Sequence, residues 1–431
     1  MLLVASYVFY GWWSIPFCGL LVLSTVLDYS VARVIEASDD DRRRRAALLF
    51  SLFGNLGVLS LFKYADFFSN SAYSLFGARP WPELDLVLPL GISFYTFQTM
   101  SYTIDVYRGH LRARKSLLDV ALYVSFFPQL VAGPIIRADT LLPQLRKEQA
   151  PDWLLIRSGI ALVVWGMTKK VFFADAMAPI VNEAYGHPEV MSGAALISAT
   201  YAFAVQIYCD FSGYSDIAIG SALILGVRLP ANFRQPYLSA SIREFWRRWH
   251  ISLSSWLRDY LYIPLGGSRK GPTRTQLNLM ITMVLGGLWH GAGWNWVLWG
   301  GLQGTLMSIE RVLGVSESPP EQRGRYAFRW LVTFHLVCLS WIFFRAADIG
   351  QAFEILHRIV TFAPGQAYAL VAPVATVALL VAVELGRGRT RFVALFQEAP
   401  RATAWLAAAA AIVFLLAFRG VSNPEFIYFQ F

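Results

Sequence analysis

The feature that most governs how this chain can fold is a succession of apolar blocks, each close to a bilayer's width in helical length, separated by short polar loops. A block of about 20 apolar residues rises far enough as a helix to cross the hydrocarbon core of a membrane. In lipid every backbone N–H and C=O must be paired within its own segment, so blocks of this kind become helices. The sequence places spans near 2–34, 46–69, 86–107, 117–136, 154–174, 193–210, 212–229, 276–300, 327–346, 367–386 and 402–418, roughly ten crossings. Composition agrees: 56% of residues are apolar and 15% charged, too few charges to cover a water-facing surface. A secreted disulfide scaffold, a disordered tail and a cytosolic enzyme are excluded. The expectation is an all-α polytopic membrane protein forming one integral-membrane domain over 1–431.

Local signals refine that picture. The first span is long and is expected to tilt or break at Pro16. Block 117–136 carries Phe126-Phe127-Pro128-Gln129 and Gly133-Pro134, breakers that suggest a re-entrant segment. Blocks 193–210 and 212–229 almost touch and read as a broken pair, with Gly213 as the interruption. The net charge of 37 − 28 = +9 resides largely in short loops. Clusters at Arg42 to Arg45, at Arg108 to Lys115, at Arg137 to Lys147 and through 243–274 fall on the cytoplasmic side by the positive-inside rule. Such loops suit lipid headgroups, and no segment offers a nucleic-acid module. Cys18, Cys209 and Cys338 lie far apart inside apolar blocks and read as core residues. No repeat of fixed period suggests a transporter of inverted halves. The first span runs on into further hydrophobic sequence, without a separate signal peptide.

Three segments could carry chemistry. His290 stands in Leu288-Trp289-His290-Gly291-Ala292-Gly293, sixteen residues beyond Arg274, or about 24 Å of helical path from the last cytoplasmic charge. An ionisable group at that depth is a functional candidate. The competing reading is a neutral imidazole in a packed interface. The seven glycines between Gly286 and Gly304 fit either case, allowing close helix packing or leaving a passage.

The second segment, 242–262, reads as a basic amphipathic helix at the cytoplasmic interface. Trp246, Trp249, Leu253, Trp256 and Tyr260 form its apolar face, and Arg243, Arg247, His250, Ser254 and Arg258 another stripe. Most such helices lie against lipid headgroups. The sharper reading is that Arg247, Arg248 and Arg258, with Arg269 and Lys270 in the Gly266–Gly271 turn, hold a phosphorylated donor.

The third segment sets Gln206, Asp210, Tyr214 and Asp216 between apolar runs. Intramembrane carboxylates must be paired, protonated or wet. These four, with Trp289 and Asn295, are candidates to line a polar cavity beside the histidines; helix-to-helix bonding is the plainer alternative. No Gly-x-Ser-x-Gly elbow occurs and the six histidines lack zinc-type spacing, so no metal is expected. His335, without polar neighbours in sequence, reads as structural.

Together these segments resemble the membrane-bound O-acyltransferases, and within them the bacterial alginate O-acetyltransferase type. The resemblance rests on Trp246 to Ser254, Trp256 to Gly267, Gly287 to Ala292, Phe126 to Ile135, Asp210 to Gly220 and the terminal Phe426 to Phe431, which occur in the expected order over nearly the whole chain. It implies a helical bundle with re-entrant segments around a central funnel, with His290 matching the family's catalytic histidine and His250 its second motif histidine. Relatives usually carry one more apolar span ahead of a segment like Met1 to Trp12, which leaves the orientation of the N-terminus open.

The resemblance also implies a reaction. A cytoplasmic thioester, acetyl-CoA as a substrate and not a bound cofactor, gives its acetyl group to hydroxyls of an exported polysaccharide such as alginate, directly or through periplasmic O-acetylation partner proteins. His290 acts as general base, since an imidazole near pH 7 can take and return a proton, and His250 orients the thioester or its oxyanion. Tyr428 is a conceivable acyl relay. The implied location is the bacterial inner membrane. The alternatives are D-alanyl or other acyl transfer to a cell-wall polymer, and a transporter or scaffold of a polysaccharide export complex. The enzyme reading requires that the His290 ring not be sealed from solvent.

Overall fold

A computed structural model describes residues 1–146, 151–316, 321–367, 371–417 and 426. Its helices group into two compact units, Met1–Asp152 with Leu225–Pro230, and Trp153–Ile224 with Ala231–Phe431. Among the described residues four helices are long and apolar enough to cross a bilayer: Ile15–Ala37, Asp41–Lys63, Gly193–Ile224 and Arg323–Arg345.

The first unit contains α1 (Leu2–Trp13), α2 (Ile15–Ala37), α3 (Asp41–Lys63), α4 (Ala65–Phe76), α5 (Ile92–Tyr107), α6 (Leu117–Ser125), α7 (Phe127–Leu130) and α8 (Ala138–Arg146). The first predicted span breaks at Ser14, with Pro16 in the opening turn of α2, where its missing N–H costs no hydrogen bond. Block 117–136 is interrupted at Phe126 and leaves the helical path after α7, as its prolines and glycine suggest. A buried polar cluster joins α2, α3 and α5: Asp28 accepts from Ser51, from Asn55 at 2.8 Å and from Thr103 at 2.8 Å.

The second unit contains α9 (Trp153–Thr168), α10 (Asp175–Gly186), α11 (Gly193–Ile224), α12 (Ile242–Arg248), α13 (Ile251–Leu257), α14 (Gly271–His290), α15 (Trp294–Val312), α16 (Arg323–Arg345), α17 (Ile349–Val360), α18 (Val371–Leu385), α19 (Gly388–Glu398) and α20 (Arg401–Ala417). Three expectations are corrected here. Blocks 193–210 and 212–229 do not form a broken pair: one helix runs from Gly193 to Ile224, straight through Gly213. Gly213 serves packing instead, because a Cβ there would lie 2.8 Å from the Gly166 carbonyl oxygen on α9. Removing that side chain lets the two backbones touch.

Block 276–300 is not one span. It is a hairpin of α14 and α15 that turns at Gly291–Gly293. Its glycines are filled contacts, not a passage: a Cβ on Gly287 would lie 3.1 Å from the Cα of Gly300. Segment 242–262 is likewise not a single amphipathic helix but α12, α13 and a wider π-turn at Arg258–Tyr262. Its aromatic face is not spread on lipid: Trp246, Trp249, Trp256 and Tyr260 are all buried.

Candidate active site

The break between α12 and α13 is made by tertiary hydrogen bonds. Ser241 caps α12 by accepting from the Glu244 N–H at 3.1 Å, and the Glu244 carboxylate accepts from the Ala240 N–H at 2.8 Å. Beyond α12, the Arg234 N–H donates to the Arg248 carbonyl and the Ile251 N–H to the Asn232 carbonyl, both at 2.9 Å. The Asn232 side-chain oxygen also accepts from the Ser252 N–H at 3.2 Å and its hydroxyl at 2.9 Å. Helical continuation is outcompeted, and His250 takes φ +43. A non-glycine residue held in that left-handed region is strained, a device concentrated at functional sites.

This turn swings His250 inward. Its ring is completely buried, with Nδ1 3.3 Å from the Asn232 side-chain oxygen and its centroid 4.6 Å from that of Phe211. Burial pushes the imidazole down to about 3, so it stays neutral in the working pH range. His290, at the end of α14, lies with its ring centroid 6.4 Å from that of His250. Around it stand Trp289 at 5.0 Å, Trp299 at 5.3 Å, Phe344 at 5.3 Å and Trp296 at 6.2 Å. His290 is buried, 5% exposed as a residue, and its Nδ1 is inaccessible. Two histidines forty residues apart in sequence therefore meet in one aromatic chamber.

Next to His250 lies a polar cavity of about 310 Å³. Asn232, which contacts His250, belongs to its lining and donates to Ser215 at 3.2 Å. The cavity also takes in Lys169, Asp216, Arg234, Glu384, Arg387 and Arg389. Lys169 donates to Ser212 at 2.8 Å and pairs with Asp216 at 2.6 Å, while Arg389 reaches the same carboxylate at 2.8 Å. The Tyr208 hydroxyl donates to Glu384 at 2.7 Å. Four cations against two carboxylates leave the cavity electropositive.

Of the six cavity candidates named from sequence, Asp216 is in this lining and the other five are not. Asp210 pairs with Lys170 at 2.9 Å, and Lys170 also holds Asp175 at 2.9 Å. Gln206 is buried on α11, and Tyr214 packs against Phe426 at 5.0 Å. Trp289 packs against both histidines. Asn295 donates to the Ala346 carbonyl at 2.9 Å, tying α15 to the end of α16. Tyr428 lies outside the described residues. None of the five donor candidates lines the cavity: Arg247, Arg258, Arg269 and Lys270 are exposed, Arg258 pairs with Asp259 at 2.6 Å, and Arg248 pairs with Glu244 at 2.5 Å. His335 is exposed on α16, with Nδ1 2.7 Å from the Leu331 carbonyl oxygen one turn back.

Sequence reasoning missed Lys169, Lys170, Asn232 and the cavity residues of 384–390. A signal for the lysines was present: two consecutive cations inside apolar block 154–174 are costly unless paired. They sit on a π-turn, Lys169–Ala174, a local widening frequent at functional sites.

The model of the MBOAT, membrane-bound O-acyltransferase family matches residues 47–347. The probable alginate O-acetylase AlgI of Azotobacter vinelandii is 43% identical over 366 residues, covering 84% of this chain and 72% of that protein. The protein of the same description from Pseudomonas aeruginosa is 43% identical over 371 residues, covering 85% and 70%. A peptidoglycan O-acetyltransferase of Helicobacter pylori is 36% identical over 385 residues, covering 83% and 73%.

Proposed function

Because this chain belongs to the membrane-bound O-acyltransferase family, we propose that it moves an acetyl group from a cytoplasmic thioester, acetyl-CoA, to hydroxyls of an exported polysaccharide on the far side of the bacterial inner membrane. The chain is a multi-pass O-acyltransferase, and relatives described as alginate and peptidoglycan O-acetyltransferases support a polysaccharide acceptor. The observation that carries the reading is the meeting of His250 and His290, ring centroids 6.4 Å apart, next to a cation-lined cavity.

The reaction follows from those groups. The acceptor oxygen attacks the thioester carbonyl carbon as its proton passes to His290. A C–O bond forms and the carbonyl oxygen becomes negative. Collapse re-forms the C=O bond, breaks the C–S bond and expels the thiolate, which takes the proton back from His290. His250, fixed neutral against Asn232, orients the thioester. The donor's phosphates have two candidate sites: the exposed Arg247, Arg258, Arg269 and Lys270 with Arg248, and the cavity's Arg234, Arg387, Arg389 and Lys169. The cavity is favoured because its lining includes Asn232, which contacts His250. A transporter using Asp210 and Asp216 is disfavoured, since both carboxylates are engaged by lysines. Periplasmic proteins that pass the acetyl group onward complete the proposal.

Replacing His290 with Gln, at matched membrane levels, tests it. Acetyl content of the exported polymer and thioester consumption are expected to fall about a thousand-fold, within the range for loss of a general base. Full retention of acetylation overturns the assignment.

A further inference from the structure

The aromatic chamber around His290 contains an unsatisfied donor. Trp299 is 1% exposed, its ring stands edge-on to His290 at 5.3 Å and 87°, and its indole Nε1 has no hydrogen-bond partner among the described residues. The Trp341 indole stacked on it is likewise without a partner among the described residues, whereas two other indoles of this unit are satisfied. Trp246 donates to the Gln303 side-chain oxygen at 3.1 Å, and Trp330 donates to the Tyr237 carbonyl at 2.7 Å. Gln303 lies one turn beyond Trp299 on α15, committed to Trp246 on one side and donating to Ser340 at 2.7 Å on the other. Local polar groups are thus arranged to satisfy the indole of Trp246 and not that of Trp299. A buried N–H without an acceptor is destabilising, and a catalytic role is one of the reasons native proteins keep such a group.

We propose that the Trp299 indole N–H is an oxyanion donor: it hydrogen-bonds the thioester carbonyl oxygen held beside His290. This rests on the acyl-transfer reading above. When the acceptor hydroxyl adds to the carbonyl carbon, the oxygen gains the electron pair of the C=O π bond, and a donor fixed in a water-poor chamber stabilises that charge without reorganising. When the C–S bond breaks, the pair returns to the carbonyl and the N–H remains in place, so no proton leaves the indole. Trp299 is clamped for such a role, with Trp246 at 5.8 Å, Trp341 stacked at 5.7 Å and Phe344 at 5.0 Å.

The test replaces Trp299 with benzothienylalanine, which preserves the fused ring and substitutes sulfur for N–H, and in parallel makes Trp299→Phe and Trp299→His. Transfer from acetyl-CoA is measured in the full-length membrane protein. For the benzothienyl and Phe forms kcat is expected to fall about a hundred-fold, the scale for one lost oxyanion donor, with KM for acetyl-CoA within about threefold of the original. Trp299→His, which restores a ring N–H, is expected to regain part of the lost kcat. Unchanged kcat in the benzothienyl form overturns the proposal, as does a loss that appears in KM alone. If Trp299→Phe fails to accumulate, the benzothienyl form decides by the same criteria. His290→Gln and the parent separate the claims: if His290→Gln is inactive while the benzothienyl form is fully active, only the indole assignment falls; if His290→Gln is fully active, the general-base assignment falls; if the parent transfers no acetyl from acetyl-CoA, the acyl-transfer reading itself falls.

Discussion

Asp28 in the first unit and Asp216 in the second are both almost inaccessible carboxylates on apolar helices, at 0% and 5% exposure, yet they are satisfied in opposite ways. Asp28 is held by uncharged donors from Ser51, Asn55 and Thr103. Ser24 closes the cluster by donating to the Asn55 side-chain oxygen at 2.7 Å. Asp216 instead holds two cations, Lys169 and Arg389, and faces a cavity. A cage of hydroxyl and amide donors fixes three helices and has no charge to offer a ligand. An ion pair at a cavity wall can exchange a partner for an incoming anion. Burial alone therefore does not separate a structural carboxylate from a functional one; the charge of its partners and the space beside it do.

The largest expected effect breaks the second arrangement. Asp216→Leu strands the buried Lys169 ammonium and removes the partner of Arg389, costing about 3–5 kcal/mol, the range for a buried pair broken on one side. Thermal unfolding in detergent measures it. Lys169→Met combined with Asp216→Leu should recover most of that loss, because removing both partners of a buried pair is often close to neutral. A single variant as stable as the parent would remove the ion-pair interpretation.

A smaller effect is expected in the first unit. Asp28→Leu leaves the Ser51, Asn55 and Thr103 donors without their acceptor, costing about 2–3 kcal/mol, while acetyl transfer per folded molecule stays within about twofold of the parent. Reduced turnover at unchanged stability would show that Asp28 does more than tie helices.

The smallest effect sharpens the choice between the two cationic groups. Arg387→Gln at the cavity is expected to raise KM for acetyl-CoA about tenfold, as loss of one charge-assisted hydrogen bond does. Arg258→Gln, which breaks only a pair between an exposed arginine and Asp259, should change KM less than about twofold. The reverse ranking would return the donor site to the 242–262 segment.

Much of this was readable from the chain. His290 stood out because an ionisable ring far from the last charge is conspicuous in apolar sequence, and His250 entered through its Trp- and Arg-rich surroundings. Breaks at Pro16 and Phe126 were visible for the same local reason: proline constrains the backbone whatever surrounds it. Readings that failed depended on distant partners. Gly213 looks like an interruption until α9 is seen packed against it. Segment 242–262 reads as one helix until the hydrogen bonds of Asn232 and Arg234 draw its middle into a turn.

That this chain enters a bilayer as helices follows from the order of its residues, because block length and hydropathy are sums over neighbouring residues and need no knowledge of packing. The same order of residues names the side chains chemically able to act. Which of them meet is a matter of folding: Lys169 with Asp216, His250 with His290, Asn232 with both the histidine and the cavity. Such pairings form between segments far apart in the chain, where free energy depends on distances and dielectric surroundings that the order of residues does not display.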